Sequence, residues 1–339
     1  MRSYLEINLN KLKSNVDEIN KFIKKPIIAV VKSNAYGHGL IPITKCLLEN
    51  GIKSFCVATS AEALTLRHYF KDISIILFEP SCNFKTLFEN RITLSICSLQ
   101  YLKKIISTKL SFNIHIKIDT GLNRLGLKKE DLAECIELIK KSRLVLRGVY
   151  THLSGPNNYQ NQKKLFKSIL PFFKDFSNLQ IHINSSSYLF DDSFSTHYRI
   201  GLALYGLLDL SHIFLQPILS LKSPIYRISK VKKNEYVGYH NEGIIEENGY
   251  LYTIPLGYAD GWLKERKTLG YSNNNYFKQV GETCMDLLML FSKEFIPENE
   301  IIEIIGDHIN IIDLSSFYKE SIYQIVSNLS SRLERKYIL

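Results

Sequence analysis

No two cysteines in this 339-residue chain stand at CxxC spacing, which excludes the common thiolate metal clamps and dithiol redox motifs. The 6 cysteines, at 46, 56, 82, 97, 135 and 284, lie mostly inside apolar segments and read as reduced core residues. No metal site is expected. No stretch approaches the roughly 20 apolar residues that span a bilayer, and the opening MRSYLEINLN has no apolar run of the signal-peptide kind. The expectation is a cytoplasmic protein with no membrane partner. Gly/Ser linkers, internal repeats and low-complexity tracts are also missing, and Ser272 to Asn275 is only a polar loop. Acidic residues are in deficit, 33 against 43 basic ones, for a net charge of +10. The basic residues are scattered rather than gathered in one stripe, so no nucleic-acid partner is expected and the surplus suits small anionic ligands.

What is present starts with PIIAVVKSNAYGHG, Pro26 to Gly39. A buried apolar strand ends there at a single lysine, Lys32, and is followed by Ser33, Asn34, Gly37 and Gly39, which break any regular pattern. A lysine at a strand end is usually a surface cap. At the mouth of a buried strand, however, the ammonium loses solvation, its pKa falls, and it can hold an aldehyde cofactor as a Schiff base. After a first helix built on Leu12, Val16, Ile19, Phe22 and Ile23, short strands alternate with helical segments. The strands fall near Phe55–Ala58, Ile73–Phe78, Ile92–Ile96, Phe112–Ile118, Val145–Tyr150, Leu179–Ile183 and Tyr198–Ile200. With the Lys32 strand this makes roughly eight units, the number that closes a parallel (β/α)8 TIM-like barrel. Past about Phe214 the stretches Leu219–Lys233, Gly249–Pro255 and Ile301–Leu314 alternate apolar and polar residues, which predicts a C-terminal mainly β domain packed on the barrel. The expected division is 1–213 and 214–339, with a final helix over about Ser321 to Arg335.

Parallel barrels build their sites where the strands end, so the residues that follow each strand are the candidates. They are Lys32; Lys117 and Asp119, which close the fifth strand in HIKIDTGLNRLG; His152 in VYTHLSG; and Asn184 and Ser185, with Ser186; Arg199 sits in the eighth strand itself, in YRIGLALYG. Each alone has an ordinary structural explanation, but together they converge on one rim. Hydroxyls after the seventh strand and the Gly201 turn after the eighth stand where barrels commonly bind phosphate. A reactive lysine beside a phosphate cradle points to pyridoxal 5'-phosphate (PLP).

AVVKSNAYGHG, KIDTGLNRLG, YRIGLALYG, TIPLGYADGW and GETCMD occur in this order, and together they resemble the alanine racemase family of PLP-dependent enzymes. The resemblance implies an isomerase that interconverts L- and D-alanine and supplies D-alanine for peptidoglycan. It implies that Lys32 binds the cofactor and is one catalytic base, and that Tyr239, in EYVGYHNEG, is the second. By the same resemblance Tyr36, Ser185, Gly201 and Leu202 hold the phosphate, His152 stacks on the pyridine ring and Arg199 faces its nitrogen. Arg124 orients the substrate, the backbone N–H of Met285 binds its carboxylate and Tyr258 stands at the entrance. The family's shared sites imply a homodimer. His240 follows Tyr239 where the family usually has glycine, and Ser331 stands near the place of a phosphate-binding tyrosine. Lys117 is open to two readings: carbamylated as in some relatives, or paired with a carboxylate. A broad-specificity racemase, a decarboxylase of the same fold and a non-catalytic PLP-binding protein are the alternatives.

Overall fold

The computed structural model describes residues 2–188 and 194–339. Its first strand, β1 (Tyr4–Asn8), leads straight into a helix over Leu9–Ile23. Asn8 caps that helix, its side-chain oxygen accepting from Lys11 N at 2.9 Å, and Leu12, Val16, Ile19 and Ile23 turn inward at helical spacing.

Eight short strands follow: β2 (Ile27–Val30), β3 (Ser54–Val57), β4 (Ser74–Leu77), β5 (Thr93–Ile96), β6 (Asn113–Lys117), β7 (Val145–Tyr150), β8 (Gln180–His182) and β9 (Tyr198–Ile200). They pair in parallel in the order β8-β7-β6-β5-β4-β3-β2-β9. All four residues of β2 are buried, as a parallel strand covered on both faces requires. The seam between β8 and β9 is drawn together by Thr196 N donating to Ile181 O (2.9 Å) and Arg199 N donating to Asn184 O (3.2 Å). The result is a nearly closed barrel, as expected from the alternation of strands and helices.

The second part is built on a nine-stranded sheet and a small hairpin. Its strands are β10 (Leu219–Pro224), β11 (Arg227–Val231), β12 (Tyr236–Val237), β13 (Gly243–Ile244), β14 (Gly249–Ile254), β15 (Leu269–Ser272), β16 (Asn275–Gln279), β17 (Leu288–Ser292), β18 (Ile301–Ile305) and β19 (Glu334–Ile338). The sheet runs β11-β14-β17-β16-β15-β18-β10-β1-β19, and β12 and β13 form the hairpin. β1 therefore belongs to this sheet, antiparallel to β10 (Leu5 opposite Leu221) and parallel to β19 (Tyr4 opposite Glu334).

Two expected elements differ. The stretch 301–314 is a strand only to Ile305; Asn310 then caps a helix over Ile311–Tyr318, its side chain accepting from Ile312 N at 2.8 Å. The final helix covers Ile322–Asn328 and gives way to β19, because the last residues pair with β1 from the other end of the chain. One continuous apolar core joins barrel residues such as Ile28 and Val149 to Leu5, Tyr252, Trp262 and Leu288 of the second part.

Candidate active site

Lys32 follows β2 and opens a backbone turn of unusual hand. Ser33, Asn34, Ala35 and Tyr36 have φ of 54°, 55°, 52° and 54°. Left-handed backbone costs an L-residue about 1–2 kcal/mol, so four in a row persist only where the surroundings dictate them. The turn brings Lys32 and Tyr36 together on the wall of a cavity of about 560 Å³ at the end of the barrel where the strands finish. Lys117, Arg124, His152, Ser185, Arg199, Gly201 and Leu202 line the same cavity. Asn184 is buried at the end of β8 and is not part of the lining.

Four cations, Lys32, Lys117, Arg124 and Arg199, face this space, and Glu79 is the one carboxylate among the described lining residues. Burial, with Arg124 and then Arg199 nearby, lowers the Lys32 pKa; neighbouring Glu62 opposes the shift in part. Lys117 is brought down to about 8 by burial and by Arg124 and Arg199. Among the described residues no ion pair joins Lys117 to a carboxylate, and Asp119 offsets the lowering only in part.

Arg199 is fully buried and held by neutral acceptors. Its guanidinium donates to His182 Nδ1 (2.8 Å), to Thr151 O (2.8 Å) and to His152 Nδ1 (3.3 Å). Burial together with Arg199, Arg124, Lys117 and Lys32 pushes the His152 pKa down to about 3, so its ring stays neutral. Opposite, Ser186 Oγ accepts from the N–H groups of Gly201 (3.0 Å) and Ala203 (3.2 Å), pinning the turn after β9. A Cβ on Gly201 would stand 2.7 Å from Tyr36 Oη, so glycine is what lets the phenol approach this backbone.

Tyr323 is a lining residue that no pattern in the sequence marks. It lines the cavity from the helix over Ile322–Asn328, its ring centroid 5.8 Å from that of Tyr36, whereas Ser331 is exposed. Its only local signal is an aromatic residue at the start of a short helix. A tyrosine thus does stand beside Tyr36, at position 323 and not at 331.

Tyr239, Tyr258 and Met285 do not reach the cavity of their own chain. They are 66%, 43% and 54% exposed, respectively. They are neighbours nonetheless: Tyr258 N donates to Cys284 O (3.1 Å), Ala259 N to Met285 O (3.0 Å), and the turn carrying Tyr239 packs against Gly281 through Gly238 and Gly243. His240 has φ of 57°, a conformation in which glycine is free and histidine is tolerated.

The family model for the N-terminal domain of alanine racemase matches residues 7–209, and that for the C-terminal domain matches 218–337. An alanine racemase of Fusobacterium nucleatum is 34% identical over 329 residues, covering 92% of each chain. One of Ligilactobacillus salivarius is 30% identical over 360, covering 98% of this chain and 96% of the relative. Among solved structures, the alanine racemase of Bacillus anthracis with bound L-Ala-P superimposes with a TM-score of 0.92 at 26% identity, covering 100% of this chain and 96% of that one. Two domain models in the right order, on a barrel with a cation-lined pocket and an appended β sheet, leave one assignment: the chain belongs to the alanine racemase family.

Proposed function

We propose that this racemase interconverts L- and D-alanine by a two-base mechanism, with PLP bound at Lys32. The observation that carries the reading is the cavity itself: a lysine of lowered pKa, three further cations of which Arg199 is buried, and a serine-bearing rim around one space. These residues fit an anionic aldehyde cofactor. The cations offset its phosphate charge, Gly201 opens room beside Tyr36, and the neutral His152 ring and the Arg199 guanidinium offer a stacking face and a donor. Tyr36, Ser185, Gly201 and Leu202 would hold the phosphate. When bound, PLP supplies the electron sink that stabilises negative charge at the substrate Cα.

The chain's own residues supply the rest. Arg124 orients the substrate and the backbone N–H of Met285 binds its carboxylate, which together fix Cα. Moving a proton between the two faces of Cα needs a base on each, and one side chain cannot serve both. Lys32 Nζ acts on one face, aided by the burial and neighbouring cations that make its neutral form accessible. Tyr239 Oη acts on the other. Arg199 donates hydrogen bonds but holds its own protons, which limits how far charge can be drawn away from Cα.

Because Tyr239, Tyr258 and Met285 are exposed on one side of the second sheet, the complete site takes them from a second copy of the chain, in a homodimer. The division we propose is 1–213 for the barrel and 214–339 for the β domain, with β1 lent to the second sheet. Among the described residues no helix is long and apolar enough to cross a membrane. A cytoplasmic enzyme supplying D-alanine for peptidoglycan is the setting we propose.

The test is direct. Purified protein supplied with PLP should turn yellow and convert L-alanine to D-alanine by chiral chromatography, and no D-alanine would overturn the reading. Comparable rates on serine or lysine would instead favour a broad-specificity racemase.

A further inference from the structure

The left-handed turn after Lys32 is the longest run of positive-φ, non-glycine residues among those described. Part of its support is local. Ala35 N donates to Val31 O (2.9 Å), Gly37 N to Ser33 O (3.0 Å) and Gly39 N to Asn34 O (2.9 Å). His38 Nδ1 lies 3.0 Å from Ala35 O and 2.9 Å from Tyr36 O.

The rest comes from the far end of the chain. Gly37 O, which closes the turn, accepts from Arg335 Nε at 2.7 Å, and His38 O accepts from Tyr337 Oη at 3.1 Å. Arg335 is itself anchored, donating to the carbonyls of Leu329 (3.1 Å), Ser330 (3.3 Å) and Leu333 (3.0 Å). The fit is close enough to exclude side chains from two positions in the turn. A Cβ on Gly37 would lie 2.1 Å from Val326 O, and one on Gly39 1.9 Å from Tyr337 Oη.

We propose that Arg335 is a positioning residue for Lys32: with Tyr337 it clamps the strained turn from the β domain, and so holds the amine and Tyr36 on the cavity wall. A guanidinium suits this task because its fixed fork bonds several carbonyls at once while one N–H reaches the turn. Without it, a turn of unfavourable hand loses the donor at its last carbonyl and relaxes, and the lysine that begins it is no longer held in place. The consequence for alanine turnover rests on Lys32 being the reactive amine; the clamp itself does not.

The test uses the full chain, with and without PLP, as wild type, Arg335→Leu, Arg335→Lys and Tyr337→Phe. Hydrogen exchange read by mass spectrometry should rise about tenfold in peptides covering 32–39 for Arg335→Leu, while the β4 to β6 peptides keep their protection. In the loaded enzyme kcat should fall at least about tenfold with KM for alanine within about threefold, and the visible cofactor band should shift. Arg335→Lys should recover part of both effects. If Arg335→Leu does not fold, Tyr337→Phe, which deletes one hydroxyl, should still loosen the same peptides by about threefold. Unchanged exchange over 32–39 in the variants, or loosening spread evenly over the barrel, would overturn the proposal. A wild type that binds no PLP, with variants that still show the local loosening, would sink the reading of Lys32 and leave the clamp standing.

Discussion

An amine that must accept a proton has to be neutral part of the time, and Lys32 is brought toward that state by where it sits. Burial is the larger cause and the Arg124 and Arg199 charges the next. Tyr239 stands 66% exposed, so the role proposed for it depends on what covers it. The two residues therefore fail differently. Lys32→Ala should lose both the visible absorbance on adding PLP and racemisation. Tyr239→Phe should keep the absorbance and lose about 10²–10⁴-fold in turnover. Unchanged exchange of the Cα proton of L-alanine in Tyr239→Phe would remove Tyr239 from the mechanism.

The buried histidines carry a second residue-scale consequence. His38 is held down at about 4, and His115 and His152 at about 3, chiefly by burial. Below the ordinary value of 6.5 the unfolded chain binds protons at these rings and the folded chain does not. Their contribution is thus full above pH 6.5 and is lost as pH falls from there toward 4 for His38 and 3 for His115 and His152. Thermal unfolding at pH 5 should show a loss of at least about 1 kcal/mol per histidine relative to pH 7. A midpoint that stays put would mean that the rings already carry charge in the fold.

At the scale of elements, what was legible followed from local pattern. The barrel strands showed as short, mostly apolar runs, several of which lead into polar residues, because strands covered on both faces are largely apolar and the site begins where they stop. Lys32, Lys117, His152 and Ser185 were readable for that reason, and Arg199 as a charge inside a short apolar strand. β1 and β19 were not, since they meet only by pairing across nearly the whole chain, and the left-handed turn was invisible because Ser, Ala and Tyr do not announce that hand. Gly148, inside β7, is another such position: a Cβ there would lie 2.5 Å from His115 Cε1 and 2.7 Å from Gln180 O. Gly148→Ala should push β7 off β8 and the His115 ring, costing about 1–3 kcal/mol in urea unfolding. A cost below about 0.5 kcal/mol would mean that the barrel wall yields there.

For the whole molecule, the proposed mechanism turns on where Tyr239 lies. Tyr239, Tyr258 and Met285 entered the candidate list through resemblance, not periodicity, and in one chain they sit outside the cavity that holds Lys32. If each site is built from two chains, two inactive variants can repair each other. In a dimer of one Lys32→Ala chain and one Tyr239→Phe chain, one site receives both defects and the other receives neither. Random re-pairing of equal amounts should therefore restore about a quarter of wild-type activity, because half of the dimers are mixed and each has one intact site. Were both bases drawn from the same chain, every site would keep one defect and no activity would return. Mixing the two purified variants under conditions that exchange subunits, and then measuring D-alanine formation, separates these cases whatever each variant does alone.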